Sequence, residues 1–489
     1  MKQWLRYAAL ILSLLTLLLS AASCRKSSGN QPEASETDRV SGTTTETETS
    51  AFPVERFGTD GNPADFVIAS RSERSDYLWV AEPGTTIMSN ATYRRNEAIN
   101  RLFNVDISLK EIGHSDGEEF IHKLDVEALN QEGAYDLVCP AWWWGTDQNG
   151  YYVNLANLQN EIDLSDPWWY DGWNRNVIFA GYMASIMGDA AFETYYNMEV
   201  VFFNKALAAS LNLDPYTYVD NKTWTLEVVN QFGKQIAGDV NGGSPSLANG
   251  DVIGSLLNQS CVGTALFSLG AKYSDNNDGE VTLRLKDEHN YDVFKKLFDF
   301  LNNEPHNRIA ATSTLGAEAI TPFTNNQVLF LWQAFRVGST LRQSDVKFGI
   351  LPCPLYRENE DYVTAIYDAS AFSIMTTVKD RHKSAVLLNA LNAVTDEYMT
   401  TPYFEEELGV RVADDPDSSR MIPLIRNSLY CDFVWINYKP MESVTDKYPV
   451  YIMRNNPNIA TVIDQEYELY TKGLTKMREL MVEYRDRED

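Results

Sequence analysis

Tryptophan is concentrated in one short stretch of this 489-residue chain. Six of its 11 tryptophans fall between residues 142 and 173, and Trp142, Trp143 and Trp144 are consecutive. A buried indole needs a partner for its N–H group, so a protein core seldom uses tryptophan at this density. Flat aromatic faces suit the C–H faces of a sugar ring, and polar side chains suit its hydroxyl groups. The stretch therefore favours a carbohydrate-binding surface, and we expect at least one of these three tryptophans to contact ligand.

The histidines and carboxylates show no spacing that marks a catalytic or metal site. The five histidines are scattered, without an HExxH pattern or other metal-ligand spacing. Paired carboxylates can serve a glycosidase. Among 68 acidic residues, however, neighbours such as Glu405 and Glu406 are expected by chance. We therefore expect a protein that is not an enzyme, with no catalytic residues, no metal and no cofactor. An extracellular glycan-active hydrolase is the alternative.

The N-terminus has the layout of a secretory signal peptide. Lys2 lies before an apolar run, and Arg6 lies near the start of that run. The run ends in three small residues, and Cys24 follows directly. A cysteine at this place resembles the lipobox of bacterial lipoproteins, in which the thiol is acylated and becomes the new N-terminus. We expect residues 1–23 to be removed and Cys24 to carry the lipid, palmitate included, on the extracytoplasmic face of the cell membrane. An ordinary secretory signal is the alternative.

The chain is strongly acidic, with 41 Lys and Arg against 68 Asp and Glu and a formal net charge of −27. Removing residues 1–23 takes away two cations and no acidic residue, which leaves −29. Such a surface repels nucleic acid and anionic lipid and suits neutral or cationic ligands. The cysteines after Cys24 have no zinc spacing, and the sequence leaves their pairing open: Cys139, Cys261, Cys353 and Cys431.

Strand and helix patterns alternate from about residue 65, which predicts an α/β fold. Residues 24–64 are rich in Ser, Thr and Glu and poor in apolar residues, so we expect a lipidated N-terminus followed by a disordered spacer. Strands are predicted at DFVIAS, VDISL, AYDLVCP and VKFGIL. Apolar spacing predicts helices at 96–103, 291–301, 384–394 and 463–484.

Several segments in one order resemble a known family. Residues 200–236 hold a strand ending in Phe-Asn-Lys, a helix, an Asn-Leu-Asp-Pro turn, and Trp224-Thr225 opening the next helix, with Thr225 as its N-cap. TNNQVLFLWQAFRVG at 324–338 and FGILPCPLY at 348–356 add further matches. Together they resemble the bacterial extracellular solute-binding proteins of the maltose-binding-like type, which are lipoprotein components of sugar ABC importers.

This resemblance implies a two-lobed, periplasmic-binding-protein-like α/β fold with a hinge and a ligand cleft between the lobes. Residues 65–190 and 346–400 would form lobe 1, and residues 191–345 and 401–489 would form lobe 2. The implied function is capture of a small carbohydrate by lobe closure and its delivery to the permease subunits of an ABC transporter. We expect the chain to be a monomer and to bind no nucleic acid.

The resemblance also places candidate ligand-binding residues in later segments. Trp332 would be the stacking residue, beside Arg336, and the segment 189–197 would cross between the lobes. Arg336 would suit a carboxylate, so a receptor for a peptide or another solute remains a second alternative. The further candidates lie in the crossing segment, after a strand, and near the C-terminus: Glu193, Tyr195, Tyr367, Asp368 and Trp435.

Overall fold

The computed structural model describes residues 52–114, 118–142, 149–238, 245–310, 317–366, 368–400, 402–407, 416–437, 440–441 and 444–487. These residues fall within one compact unit, Ala51–Asp489. The expected signal peptide, Cys24 and most of the expected spacer lie outside the described residues, so those predictions stand as they are.

The described strands form two main sheets and a small ribbon. Their bounds are β1 Ala64–Ser70, β2 Val105–Glu111, β3 Leu137–Cys139, β4 Glu199–Asn204, β5 Ile253–Leu257, β6 Ser274–Asn277, β7 Glu280–Leu283, β8 Asn307–Ile309, β9 Val328–Ala334 and β10 Phe348–Leu351.

The α-helices of the described residues run between and around these strands. Their bounds are α1 Ile87–Phe103, α2 Glu118–Asn130, α3 Asp171–Val177, α4 Glu193–Asn197, α5 Lys205–Ser210, α6 Pro215–Asp220, α7 Leu226–Ile236, α8 Cys261–Ser268, α9 Glu288–Phe298, α10 Ala317–Thr324, α11 Val337–Leu341, α12 Arg381–Thr395, α13 Pro416–Asn427, α14 Phe433–Ile436, α15 Lys447–Met453 and α16 Ile459–Arg485.

Side chains at the helix ends explain several of these bounds. Thr86 begins α1 through a capping box, because its hydroxyl accepts from the N–H of Ser89 while the Ser89 hydroxyl accepts from the N–H of Thr86. Asp214 caps α6, which has Pro215 at its first position. Thr225 caps α7 by accepting from the N–H of Val228, which confirms the prediction made for it.

The first sheet is parallel, in the order β2-β1-β3. Its strands are those predicted at DFVIAS, VDISL and AYDLVCP, and α1 covers the helix predicted at 96–103. Residues 369–375 run antiparallel beside β3, with Ser373 opposite Val138 and Ser370 opposite Ala141. We call this sheet, with the packed helices α1 and α12, the first lobe.

The second sheet is mixed, in the order β10-β4-β9-β5-β8. Strand β9 lies in its centre, parallel to β5 and antiparallel to β4, and every residue of β4, β5 and β9 is buried. Such continuous apolar burial is expected for strands covered on both faces. Helices α7 and α8 pack on it, and we call this assembly the second lobe.

Two chain segments pair with each other between the sheets, and a third joins them. Ile186 lies opposite Phe372, and Met198 lies opposite Ile366, so the two segments run antiparallel. Leu429 pairs with Thr364 on the same segment. The chain therefore passes between the lobes at three adjoining places, as the resemblance implied for a hinge.

The expected boundary at residue 346 needs correction. Strand β10 pairs with β4, Ile350 opposite Phe202, so residues 348–351 belong to the second lobe. The chain rejoins the first lobe only near residue 369, where it runs beside β3. The strand predicted at VKFGIL is confirmed. Its partner strand could not be predicted from the local sequence, because β4 lies far away in the chain.

The four described cysteines, Cys139, Cys261, Cys353 and Cys431, are buried and carry free thiols. This answers the question of pairing that the sequence left open. Burial raises the pKa of each of these thiols. Since the thiolate is the reactive form, all four are unreactive in this conformation. No helix of the described part of the chain combines the length and apolar character needed to cross a membrane.

Candidate functional site

The candidate site lies at the carboxyl ends of β1 and β3. In open sheets with parallel strands, ligands bind in the crevice outside this edge. Arg71 follows directly on β1, and Trp142 comes three residues after β3. The N–H of Trp142 donates to the carbonyl of Ala369 at 2.9 Å, which fixes Trp142 beside Asp368. The edge thus gathers side chains from the first lobe and from the segment that enters it.

Arg71 is the polar centre of the site and is only 1% exposed. Its Nη1 donates to Asp368 at 3.0 Å, and its Nη2 donates to Glu193 at 3.2 Å. Nη2 also donates to the hydroxyl of Ser370 at 2.9 Å. Glu73 lies 3.8 Å from Nη1. The sequence predicted Glu193 and Asp368 as ligand-binding candidates, and in the structure both carboxylates accept hydrogen bonds from this one guanidinium.

Burial and charge act in opposite directions on Arg71. Burial lowers the pKa of the guanidinium, but the carboxylates of Asp368 and Glu193 together outweigh it and raise the pKa above its ordinary value. Arg71 is therefore a permanent cation whose charge is balanced within the protein. A buried cation of this kind needs its carboxylates, since either partner left alone would carry an uncompensated charge.

Three tryptophans form the aromatic part of the site. The rings of Trp142 and Trp435 are stacked, with centroids 5.7 Å apart and planes within 7° of parallel. Trp173 of α3 meets Trp142 edge to face at 6.2 Å. Trp435 lies on α14 and contacts Phe267 of α8, with ring centroids 5.0 Å apart. The stack therefore joins the edge of the first lobe to the second lobe.

Local features hold Trp435 against the second lobe. Asp432 caps α14 by accepting from the N–H of Val434 at 2.8 Å. It also accepts from the N–H of Ser274 at 3.0 Å, which ties α14 to β6. Gly263 lets the indole approach, because a Cβ atom there would lie 3.1 Å from Cη2 of Trp435. Asp432 is thus a positioning residue for this ring.

A small cavity, partly open to solvent and with room for about one water molecule, adjoins Trp173. All three hinge segments contribute to its wall, which includes no charged side chain. Its lining residues are Tyr170, Trp173, Met187, Thr194, Ile366, Leu429, Tyr430 and Cys431. Thr194 follows Glu193 in the chain, so the apolar cavity and the Arg71 cluster border each other at the start of α4.

Tyr195 lies in the hinge and not in the Arg71 cluster. Its hydroxyl donates to Asp189 at 2.7 Å, and Arg426 donates to both carboxylate oxygens of Asp189 at 2.9 and 2.6 Å. Burial raises the pKa of Asp189, and the positive charge of Arg426 opposes this shift. The group connects the first crossing segment to α13, which suits hinge packing, the alternative to a ligand contact for Tyr195.

Trp332 occupies the core of the second lobe, which corrects the stacking role that the resemblance suggested. It is fully buried in the central strand, opposite Val201 on one side and Leu257 on the other. Its ring lies 6.1 Å from that of Phe300. Burial on both faces of β9 explains the difference, because a tryptophan in such a strand packs against other layers.

Arg336 follows β9 and contacts the first crossing segment. Its guanidinium donates to the amide oxygen of Asn197, and its backbone N–H donates to the carbonyl of Tyr196 at 3.0 Å. The remaining candidates, Trp143, Trp144 and Tyr367, fall outside the described residues, and their predicted roles stay predictions.

Sequence reasoning missed Arg71, and it counted Trp173 in the tryptophan-rich stretch without choosing it as a ligand contact. Arg71 had one available signal: it directly follows a buried strand, where the carboxyl edge of a parallel sheet would lie. Sequence reasoning also took the Gly-x-Ser-x-Gly pattern to be absent, which is wrong. Residues 113–117 read GHSDG, which has the Gly-x-Ser-x-Gly spacing of a hydrolase nucleophile turn. Ser115 falls outside the described residues, and His114 lies 4.0 Å from Glu73.

Metal binding finds no support in the part of the chain that the structure describes. No group of three or more His, Cys, Asp or Glu side chains there is arranged to hold a metal ion. The polar atoms of the site are one guanidinium, carboxylates, a hydroxyl and indole N–H groups. This set donates to and accepts from hydroxyl groups, and the aromatic faces beside it suit C–H surfaces.

Comparisons with known proteins bear on the fold. No protein-family model and no curated protein matches the sequence. Among solved structures, maltose-bound MalE3 of T. maritima matches with a TM-score of 0.51 and 12% identity, over 85% of this chain and 100% of that one. A cyclo/maltodextrin-binding protein complexed with maltotetraose matches with a TM-score of 0.54 and 11% identity, over 86% and 97%.

A third structure, UgpB from Mycobacterium tuberculosis in complex with glycerophosphocholine, matches with a TM-score of 0.51 and 14% identity, over 87% of this chain and 99% of that one. At these identities the likeness concerns the fold alone. The chain has the two-lobed α/β fold of these solute-binding proteins, which confirms the fold class that the sequence predicted.

Proposed function

We propose that this chain is the substrate-binding component of an ABC importer and that it captures a carbohydrate between its lobes. One observation carries the proposal: Trp142 of the first lobe stacks on Trp435, held by the second lobe, beside the buried Arg71 cluster. Aromatic faces and fixed hydrogen-bonding groups are what a sugar ring requires. Structures of the same fold were solved with maltose and maltotetraose bound, which supports this ligand class.

The proposed mechanism is capture without chemistry. Three adjoining segments form the hinge, so the lobes can separate by small changes in those segments and close again around a ligand. A ligand that contacts both lobes stabilises the closed form by its differential affinity for it. The closed form then presents its surface to the permease. No residue of the site is assigned a catalytic role.

The proposal also covers the location of the protein in the cell. Lipidation of Cys24 would hold the mature chain on the extracytoplasmic face of the cell membrane, and residues 25–64 would give it reach. The sequence pattern around Cys24 supports this part. Cys24→Ala should abolish incorporation of labelled palmitate and release the protein from the membrane fraction.

A melting experiment on the exported protein tests the ligand class. The protein is purified in a detergent without a sugar head group, because such a head group would compete for the site. Tryptophan fluorescence follows unfolding with glucose, galactose, maltose, maltotriose and cellobiose, and with amino acids and dipeptides as controls. A ligand at 100 times its Kd should stabilise the fold by about 2.7 kcal/mol.

Each outcome separates the proposal from its alternatives. Stabilisation by a sugar without product formation supports it, while stabilisation by dipeptides alone replaces the carbohydrate with a peptide. Release of sugar from an oligosaccharide contradicts the binding function. In that case, loss of turnover in Ser115→Ala would identify the GHSDG segment as the catalytic turn. Retention of turnover would indicate a glycosidase that uses paired carboxylates.

A further inference from the structure

We propose that the site is selective for charge: it takes uncharged polyhydroxylated ligands and discriminates against the same ligands carrying a carboxylate or a phosphate. This inference rests on the proposed function, because it concerns the ligand of the same site. It goes further by giving Arg71 a role in specificity, because the protein's own carboxylates already balance the charge of this cation.

The first argument is the occupation of the guanidinium. A carboxylate or phosphate is recognised most strongly by two parallel N–H groups of one arginine. Both terminal nitrogens of Arg71 already donate, Nη1 to Asp368 and Nη2 to Glu193 and Ser370. An anionic ligand would have to displace a buried carboxylate, which would then lie buried without its counter-charge.

The second argument concerns the acceptors of the cluster. Glu193 is only 1% exposed, and its Oε1 accepts from Arg71, while its Oε2 is buried with no hydrogen-bond partner among the described residues. A carboxylate oxygen can only accept. A ligand hydroxyl has a proton to donate to such an atom. A ligand carboxylate has none at neutral pH, and its charge repels the Glu193 side chain.

The third argument is the wall of the adjoining cavity. Its lining residues include no lysine, arginine or histidine. An ionised group placed against this wall would lose hydration without meeting a counter-charge, which is strongly unfavourable. The hydroxyl groups of a neutral sugar cost much less, since single hydrogen bonds replace those lost to water.

Two other arginines lie near the hinge. Arg426 binds both oxygens of Asp189, so its charge is also matched. Arg336 donates to the amide oxygen of Asn197, which is a neutral group. If the protein does bind an anion, an Arg336→Gln variant tests whether this arginine receives it.

Matched ligands test the inference on the full exported protein. Glucose is compared with glucuronate and glucose 6-phosphate, and galactose is compared with galacturonate, by titration calorimetry with melting as a second readout. We expect the neutral member of a pair to bind at least about tenfold more tightly than its acidic counterpart, a difference of about 1.4 kcal/mol. Equal or tighter binding of the acidic member overturns the inference.

Variants of the cluster give the second readout. Asp368→Asn removes one counter-charge from Arg71, so the preference for the neutral member should shrink by about tenfold. Ser370→Ala is the matched control, because it removes a hydrogen bond from the same guanidinium without changing charge and should leave the ratio unchanged. If Asp368→Asn fails to fold, Glu193→Gln makes the same change from the other crossing segment.

The two levels of the proposal fail in different ways. An acidic sugar that binds well and loses its affinity in Arg336→Gln contradicts the charge selectivity and leaves a carbohydrate receptor. Absence of binding by any member of any pair, when a dipeptide does bind, contradicts the carbohydrate function itself and the inference with it.

Discussion

Trp142 and Trp435 are stacked within 7° of parallel although 292 positions of sequence separate them. Trp142 is fixed by its own backbone bond to the segment entering the first lobe, and Trp435 by the capped helix α14. With centroids 5.7 Å apart, the two rings are in direct contact and leave no room for a sugar ring between them. A ligand therefore either lies along the edge of the stack or separates the rings by opening the hinge.

The stack predicts which tryptophans matter for affinity. Trp435→Ala should weaken binding of the identified sugar by about tenfold, because an aromatic contact contributes on the order of 1 kcal/mol beyond the area it buries. Calorimetric titration measures this loss. Trp168→Phe is the control, since the Trp168 indole donates to Asn389 of α12 and takes no part in the stack. Equal affinities in Trp435→Ala and the original protein would remove the stack from the site.

Arg71 should be a large contributor to stability. In Arg71→Met, Asp368 and Glu193 remain buried without their counter-charge, and breaking a buried pair in this way costs about 3–5 kcal/mol. Chemical denaturation at neutral pH measures the change in the free energy of unfolding. Arg175→Met is the control, because it breaks an exposed ion pair with Asp171 within one helix and should change stability little. A small loss in Arg71→Met would mean that the carboxylates find other partners.

Glu199 predicts a stability that falls as pH rises. Burial raises the pKa of this carboxyl from 4.5 to about 8, so the folded protein keeps a proton that the unfolded chain has lost. Between about pH 4.5 and 8 the unfolded state gains from ionisation and the folded state does not. Glu199→Gln should remove this cost and make the variant more stable than the original at pH 8 by a few kcal/mol, with little difference at pH 4.5.

Denaturation curves across that pH range test the Glu199 prediction. Glu118→Gln, on the exposed side of α2, is the matched control for the loss of one acidic residue. Parallel pH profiles for Glu199→Gln and the original protein would show that the carboxyl ionises in the folded state at the same pH as in the unfolded chain.

His382 also predicts a stability that falls as pH rises, but through the loss of a favourable contact. Its Nδ1 lies 2.9 Å from Glu161 and its Nε2 lies 2.9 Å from Glu55. Carboxylates only accept, so both contacts require the doubly protonated ring, and these hydrogen bonds raise the pKa of His382. The stabilisation is complete below the unfolded pKa of about 6.5 and is lost as pH rises through the higher folded value.

His382→Gln should accordingly lower stability in acidic and neutral solution and have little effect in alkaline solution. Titration of the ring by NMR gives the folded pKa directly. His122→Gln on α2 is the control, because that histidine is exposed. A ring that titrates at the ordinary value would show that the two carboxylates do not hold it in solution.

The local parts of the fold could be predicted from the sequence. Thr225 had a cap position before a run with helical spacing, and it caps α7 as expected. The alternation in DFVIAS and VDISL gave two strands that do pair. These features depend on neighbours within a few residues. The partner of β10 depends on β4, almost 150 positions earlier, and no local pattern carries that information.

The candidate site was predictable in its residue types and less so in its geometry. Trp142, Glu193, Asp368 and Trp435 were all expected to contact ligand, and the structure gathers them around one edge. Trp332 was chosen by resemblance, and its strand turns out to be buried on both faces. Arg71 was missed because a single arginine after a strand has no distinctive spacing, and its importance comes from carboxylates more than 100 positions away.

The passage of the chain between the lobes also sets the order in which the protein can be completed. The first lobe needs residues 369–375 beside β3 and α12 against α1. Until most of the chain has been synthesised, β3 therefore lacks the neighbouring segment 369–375, and the N-terminal sheet is incomplete. A chain truncated before residue 369 therefore lacks parts of both its first lobe and its hinge.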